Sequence, residues 1–114
     1  MESLKEFVGR LSRSVSCHYH PNKSGTYSLK EHHTGQPRHR NVFAWVLRKG
    51  DCFRVDTYKK DTDRIGLTDL ADLVVPNQHW GIYDGADFYV RKGSFGEDYQ
   101  KTVRVLRAIL PLVG

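Results

Sequence analysis

Long apolar runs are missing from this chain. No stretch approaches the roughly 20 consecutive apolar residues that a bilayer-spanning helix needs, so no membrane partner is expected. Cysteine is scarce. Cys17 and Cys52 form no spacing pattern, and the expectation is two reduced thiols in a cytoplasmic protein. The opening residues MESLKEFVGR set acids among the apolar positions and lack the core of a signal peptide, which points to the same location. Internal repeats, low-complexity tracts and linkers are also missing. With 114 residues, the expectation is one domain over 1–114 with a single modest core.

What is present is charge, and it is unevenly placed. The chain carries a formal net +5. Residues 1–60 hold a net +7 and residues 61–114 a net −2. A basic half of this kind is the electrostatic footprint of a polyanion-binding surface, set against solubility alone as the plainer explanation.

The apolar pattern gives the elements. Leu4, Phe7, Val8, Leu11 and Val15 recur at helical spacing over residues 3–15, which leaves Arg10 and Arg13 off the stripe and in solvent. HPNKSG reads as the turn that ends this helix. TYSLKEH alternates weakly, NVFAWVL is nearly continuous and suits a central strand with Trp45 in the core, and CFRVDTY alternates clearly. In the last, Phe53, Val55 and Thr57 face one way and Cys52, Arg54, Asp56 and Tyr58 the other, with a hairpin at Gly50. Leu67, Leu70, Leu73 and Val74 suggest a short helix stopped by Pro76, and HWGIYDGADFYVRK a second hairpin turning at Asp84-Gly85. Ser94 and Glu97 have capping-box spacing, so a helix over 95–110 is expected to bury Tyr99, Val103, Leu106 and Leu110 and to expose Lys101, Arg104 and Arg107. The fold class expected is α+β: an antiparallel sheet of about four to five strands with N- and C-terminal helices packed on it.

The densest chemistry lies in SLKEHHTGQPRHRN, residues 28–41. As a zinc site it is incomplete. Cys17 and His20 have an acceptable spacing, but His32 and His33 are adjacent and would point to opposite faces of a strand. As a His-Asn-His nuclease it lacks the following helix with a further histidine, because residues 42–60 read as strands. VDTYKK supplies Asp56 and Lys59 without the intervening acid of a restriction-type nuclease. Cys17 with His18 or His20 could form a nucleophile pair, but adjacency in sequence is not a triad and nothing visible lowers the thiol pKa. No catalytic residue, metal or cofactor is therefore assigned. The phosphate reading fits better. Lys23, Lys30, His33, Arg38, His39, Arg40, Arg48 and Lys49 supply cations and donors, while Gly25, Gly35 and Pro37 shape the backbone. Tyr19, Tyr27, His79 and Trp80 are candidates for a pocket or stacking surface.

The order of motifs from residue 38 to 110 adds a resemblance. Asn41-Val42-Phe43 opening an apolar strand, the basic turn Arg48-Lys49, a second strand, His79-Trp80-Gly81 and a terminal amphipathic helix resemble an uncharacterised α+β domain family of chains labelled "predicted transport protein" and of restriction-nuclease-associated chains. The order is more weakly similar to the small bacterial double-wing proteins, where terminal helices flank an antiparallel sheet and DNA binding is the working assignment. The resemblance implies the fold and supplies no catalytic residue; residues 1–37 fall outside both patterns. The expected function is a non-catalytic nucleic-acid-binding module with DNA as first choice, acting through the His/Arg-rich loop, alone or within a larger fused or associated protein. The alternatives are a metal-dependent nuclease and a protein-interaction module of a defence-type system.

Overall fold

The computed structural model describes residues 2–31, 42–58, 61, 64, 75–77 and 85–110. Its elements are α1 (Leu4–Val15), β1 (His18–Pro21), β2 (Tyr27–Lys30), β3 (Val42–Lys49), β4 (Cys52–Tyr58), β5 (Val75–Asn77), β6 (Gly85–Arg91) and α2 (Glu97–Ile109). The strands form one sheet in the order β1-β2-β3-β4-β6-β5, with every pairing antiparallel. The α+β expectation of terminal helices on an antiparallel sheet holds.

Period-two alternation divides the sheet into two faces. On β3 and β4, Val46 pairs with Val55 and Arg48 with Phe53, and β6 places Phe88 opposite Val55 and Val90 opposite Phe53. This is the face on which the helices lie, because the Phe7 ring of α1 stacks on Phe53 at 4.4 Å between centroids. Phe7, Val8, Leu11 and Val15 from α1 join Tyr99, Val103, Val105, Leu106 and Ile109 from α2 in one buried cluster with Leu29, Val46, Phe53, Val55, Phe88 and Val90. The stripes read from the sequence are the stripes that pack on the sheet, with Leu4 and Leu110 only half-buried.

Several local expectations are corrected. Trp45 pairs with Asp56 on the opposite face and is half-buried, its ring edge-on to Tyr58 at 5.0 Å; it is not part of the helix-side core. The continuous NVFAWVL run means two covered faces: Arg54 and Asp56, which share Trp45's side, are buried as an ion pair at 2.8 Å. HPNKSG does not end α1. Ser16 does, in the left-handed conformation at φ 64, and His18–Pro21 then pairs with β2 as an additional edge strand. Pro76 lies in β5 at the other edge, where a missing N–H costs no ladder bond. Gly85 is paired to both Asn77 and Tyr58, so it opens β6 and cannot be the second residue of a tight turn at Asp84-Gly85.

Capping is also redistributed. Ser94 and Glu97 form no capping box: the N-cap of α2 is Gly96, and Ser94 Oγ donates to Asp98 Oδ1 at 2.9 Å. The capping box belongs to α1, where Ser3 Oγ accepts from the Glu6 N–H and Glu6 Oε1 accepts from the Ser3 N–H.

The largest departure is Arg10, expected in solvent and found buried. Its position flanks the apolar stripe of α1, and α2 closes over that flank. Arg10 Nε and Nη2 donate to the two Glu2 carboxylate oxygens, each at 2.9 Å, and Nη1 donates to the Ser94 carbonyl at 2.6 Å. Its guanidinium lies 4.1 Å from the Phe95 ring centroid and 4.2 Å from that of Tyr99. The Arg10 hydrogen bonds hold the Glu2 carboxyl below its ordinary range; burial opposes this, and the Gly93 N–H reinforces it. A depressed folded-state pKa stabilises the fold above the ordinary carboxylate range and stops doing so as pH falls through the folded value. Arg10→Ala is expected to cost roughly 2–3 kcal/mol, from a partly buried ion pair and its ring contacts. In urea titrations over about pH 3 to 6, Glu2→Gln should be less stable than the parent at the upper end and converge on it at the lower. Parallel pH curves for the two proteins would show that Glu2 contributes nothing through its charge.

Candidate functional site

The strand register sorts the basic residues by the end of the sheet they occupy. Tyr27 pairs with Val46, so the turn before β2 lies at the Lys49 end of β3. Lys49 pairs with Cys52 and Cys52 with Arg91, so the end of β6 lies there too. Three turns therefore crowd one end, here called the hairpin end. The first is held by Asn22, whose N–H donates to the Thr26 carbonyl at 2.9 Å and whose side-chain amide donates to Thr26 and Ser28 hydroxyls; Gly25 takes φ 87. The second is the two-residue loop Gly50-Asp51 with Gly50 at φ 58, as a primed hairpin turn demands of its first position. The third follows Arg91, where Gly93 takes φ 72 and the Lys92 N–H reaches the Asp51 carbonyl at 3.4 Å.

These turns present Lys23, Arg48, Lys49 and Arg91 to solvent, with Lys92 half-buried beside them. No ion pair among the described residues involves any of them. Lys92 Nζ instead lies 5.9 Å from the Phe53 ring centroid. The acids at this end are mostly engaged elsewhere. Glu2 faces Arg10, and Asp98 accepts from the Arg91 and Tyr99 backbone N–H groups and from the Ser94 hydroxyl. Burial alone would raise the Asp98 pKa, but those hydrogen bonds to its charged form hold it below its ordinary value. Asp51 is exposed among the cations.

Lys30 does not belong to this group. It pairs with Val42 and His18 at the far end of the sheet. At about 3.3 Å per residue, Val42 and Lys49 stand on the order of 23 Å apart along β3. Among the described residues, Lys30 is thus set apart from Lys23, Arg48 and Lys49. His33, Arg38, His39 and Arg40 lie outside the described residues, as do His79 and Trp80; Glu31 and Val42, which bound the 32–41 segment, sit at the Lys30 end. Arg91 and Lys92 were not read as site residues. A signal for them exists: strands β3 and β6 both run out through Arg-Lys-Gly, at 48–50 and 91–93, and both glycines take positive φ.

Tyr19 and Tyr27 meet edge-on at 6.0 Å on the helix-side face. Tyr19, 39% exposed, lines an open cleft of about 530 Å³ with Gly9, Ser12, Arg13, Ser16, Cys17 and His18, between α1 and β1. Tyr27 is half-buried against the core. Cys17 is no activated nucleophile. Burial pushes its thiol up to about 11, and the Ser12 hydroxyl offsets this only in part. Both cysteines are unpaired. Among the described residues, no three His, Cys, Asp or Glu side chains gather to hold a metal ion, and none of the helices is long and apolar enough to cross a membrane.

No family model matches the chain, and neither a curated protein nor a solved structure does. The site is read from its own geometry.

The raised Cys17 pKa has a direct consequence. Only the thiolate is alkylated, and lifting the pKa from the ordinary 9.0 to about 11 lowers the thiolate fraction near pH 8 by about 100-fold. In a Cys52→Ser variant, iodoacetamide labelling of the folded protein should be slow at pH 8 and accelerate up to pH about 11, and labelling in urea should be fast. Fast labelling of the folded variant at neutral pH would reverse the assignment.

Proposed function

We propose that this protein is a non-catalytic nucleic-acid-binding module that contacts phosphates through the hairpin end of its sheet. The observation that carries this reading is the convergence of Lys23, Arg48, Lys49, Arg91 and Lys92 on three adjacent turns, without ion pairs among the described residues. A cation that is not neutralised internally keeps its full attraction for a phosphate. One held on a hairpin also loses less freedom on binding than one on a long loop. Arg48 and Arg91 can each offer two parallel donors to a phosphate, while Lys23, Lys49 and Lys92 act as point charges. Duplex DNA is the first substrate to try.

The His/Arg-rich loop remains a competing surface on its residue types, with Arg38, His39 and Arg40 as its cations and donors. The two surfaces are separable by salt dependence. Each phosphate neutralised contributes about −0.9 to the slope of log affinity against log salt on duplex DNA. Full engagement of the hairpin end by its five cations gives a slope approaching about −4.5. Replacing Lys23, Arg48, Lys49, Arg91 and Lys92 by Ala should abolish most of that slope and lower the thermal unfolding transition only slightly, through the lost Lys92 contact with Phe53, since exposed unpaired cations contribute little to stability. Arg38→Ala with Arg40→Ala should remove at most about two contacts' worth. A slope that survives the fivefold change and vanishes with the double one would move the site to the loop. Wild-type protein without salt-dependent binding would end the nucleic-acid reading.

A further inference from the structure

Phe95 is the most exposed large apolar side chain among the described residues, at 64%. A single exposed apolar residue needs no explanation by itself. This one packs against Arg10 and Tyr99 and follows Arg91 and Lys92 in the chain by four and three residues. One face of its ring is covered by the Arg10 guanidinium, 4.1 Å from the centroid. One edge meets Tyr99 at 5.7 Å and 67°. Its carbonyl accepts from the Gln100 side-chain amide at 3.3 Å, and the flanking Gly96 N–H donates to Ser94 Oγ at 3.1 Å. With one face and one edge taken, an exposure this large leaves the other face of the ring open to solvent. The segment joining Arg91 and Lys92 to Phe95 is the short turn closed by Ser94 N–H to the Arg91 carbonyl at 3.0 Å.

We infer that Phe95 is a stacking platform for an unpaired base, so that the protein prefers single-stranded nucleic acid, with Arg91 and Lys92 taking the adjoining phosphates. This rests on the reading of the hairpin end as a phosphate-binding surface and specifies its ligand. A base in a duplex has both faces stacked and offers nothing to a protein ring; a base in a single strand offers a free π face. Arg10 already fixes the ring from behind, so stacking on the open face orders no further side chain. Alternation of a flat ring with cations is how proteins hold single strands without reading their sequence.

The test is fluorescence anisotropy of the full chain against a labelled oligothymidylate of about 15 nucleotides, near the upper end of the span of a single site, and against a duplex of equal length. Phe95→Ala should weaken single-strand binding by about 10-fold or more, leave duplex binding unchanged, and leave the salt slope on both unchanged because no charge is lost. Phe95→Leu keeps apolar bulk without a flat π face and should behave as Phe95→Ala. Phe95→Trp should retain single-strand affinity and add a tryptophan signal that is quenched on binding. Circular dichroism establishes that each variant is folded. Wild-type single-strand affinity in folded Phe95→Ala or Phe95→Leu would overturn the stacking role, and so would equal losses on single strand and duplex. In either case, loss of binding on removing the five cations would leave the phosphate-binding reading standing. Absence of wild-type binding to both probes would remove both.

Discussion

One guanidinium ties the chain together at the end of the sheet where the three turns converge. Arg10 bridges the Glu2 carboxylate before α1, the Ser94 carbonyl before α2, and the rings of Phe95 and Tyr99. These groups are up to 97 positions apart from Glu2 in sequence, and no β-ladder connects them. A buried cation is unfavourable unless nearly all its donors and its charge are matched. Here the fork geometry of arginine matters. A lysine has no planar fork with which to address both carboxylate oxygens and a carbonyl while its charge lies about 4 Å from two ring centroids. Glu2 completes the tie, because its Oε1 also accepts from the Gly93 N–H at 2.8 Å. The direction in which the 91–96 turn leaves the sheet is thus set by residues at the opposite end of the chain.

The sheet places charge in two distinct ways. Arg54 and Asp56, two residues apart on β4, share a face and satisfy each other through Nε–Oδ1 at 2.8 Å and Nη2–Oδ2 at 3.1 Å. That pair is buried, and its charges cancel. Arg48, on the neighbouring strand, is exposed beyond the apolar part of β3, where the burial pattern changes from core to solvent. Residues of the same type therefore do opposite things within one hairpin. Position along the strand separates them: the middle must neutralise its charge, and the tips can leave it open. This is the physical basis for looking for a polyanion surface at the turns.

How much of this was legible follows from how local each signal is. The stripes of Phe7, Val8, Leu11 and of Tyr99, Val103, Leu106 depend only on helical period, and they were read correctly. The faces of β4 depend only on alternation, and Phe53 and Val55 lie where alternation puts them. Arg10 was misread because its burial depends on a second helix arriving beside it, which no window around residue 10 contains. Trp45 was misread because a continuous apolar strand signals two covered faces without saying which is the helix side. Ser94-Glu97 has the spacing of a capping box, but the Ser94 hydroxyl donates to Asp98, and the N-cap is Gly96. The cation set was split for a related reason. Sequence proximity grouped Lys30 with Lys23, whereas antiparallel pairing sends the two ends of β2 to opposite ends of the sheet and brings Arg91 and Lys92 to Lys49.

The clamp and the proposed binding surface share a part, and this bears on how the surface can be dissected. Phe95 is held by Arg10, and Arg10 by Glu2 and Ser94. Disturbing Arg10 would release the ring, loosen the turn carrying Arg91 and Lys92, and weaken the contact between the helices all at once. An arginine substitution there would lower stability and affinity together and could not apportion the loss between them. Phe95 itself lies at the outer edge of the clamp, with most of its surface already in water, so its removal exposes little that was buried. Stability is concentrated on the inner side of the guanidinium and the open ring face on the outer side. A turn whose inner side is tied by Arg10 and Glu2 can carry an exposed aromatic residue without the ring collapsing onto the core, which is the condition a stacking surface must meet before any ligand arrives.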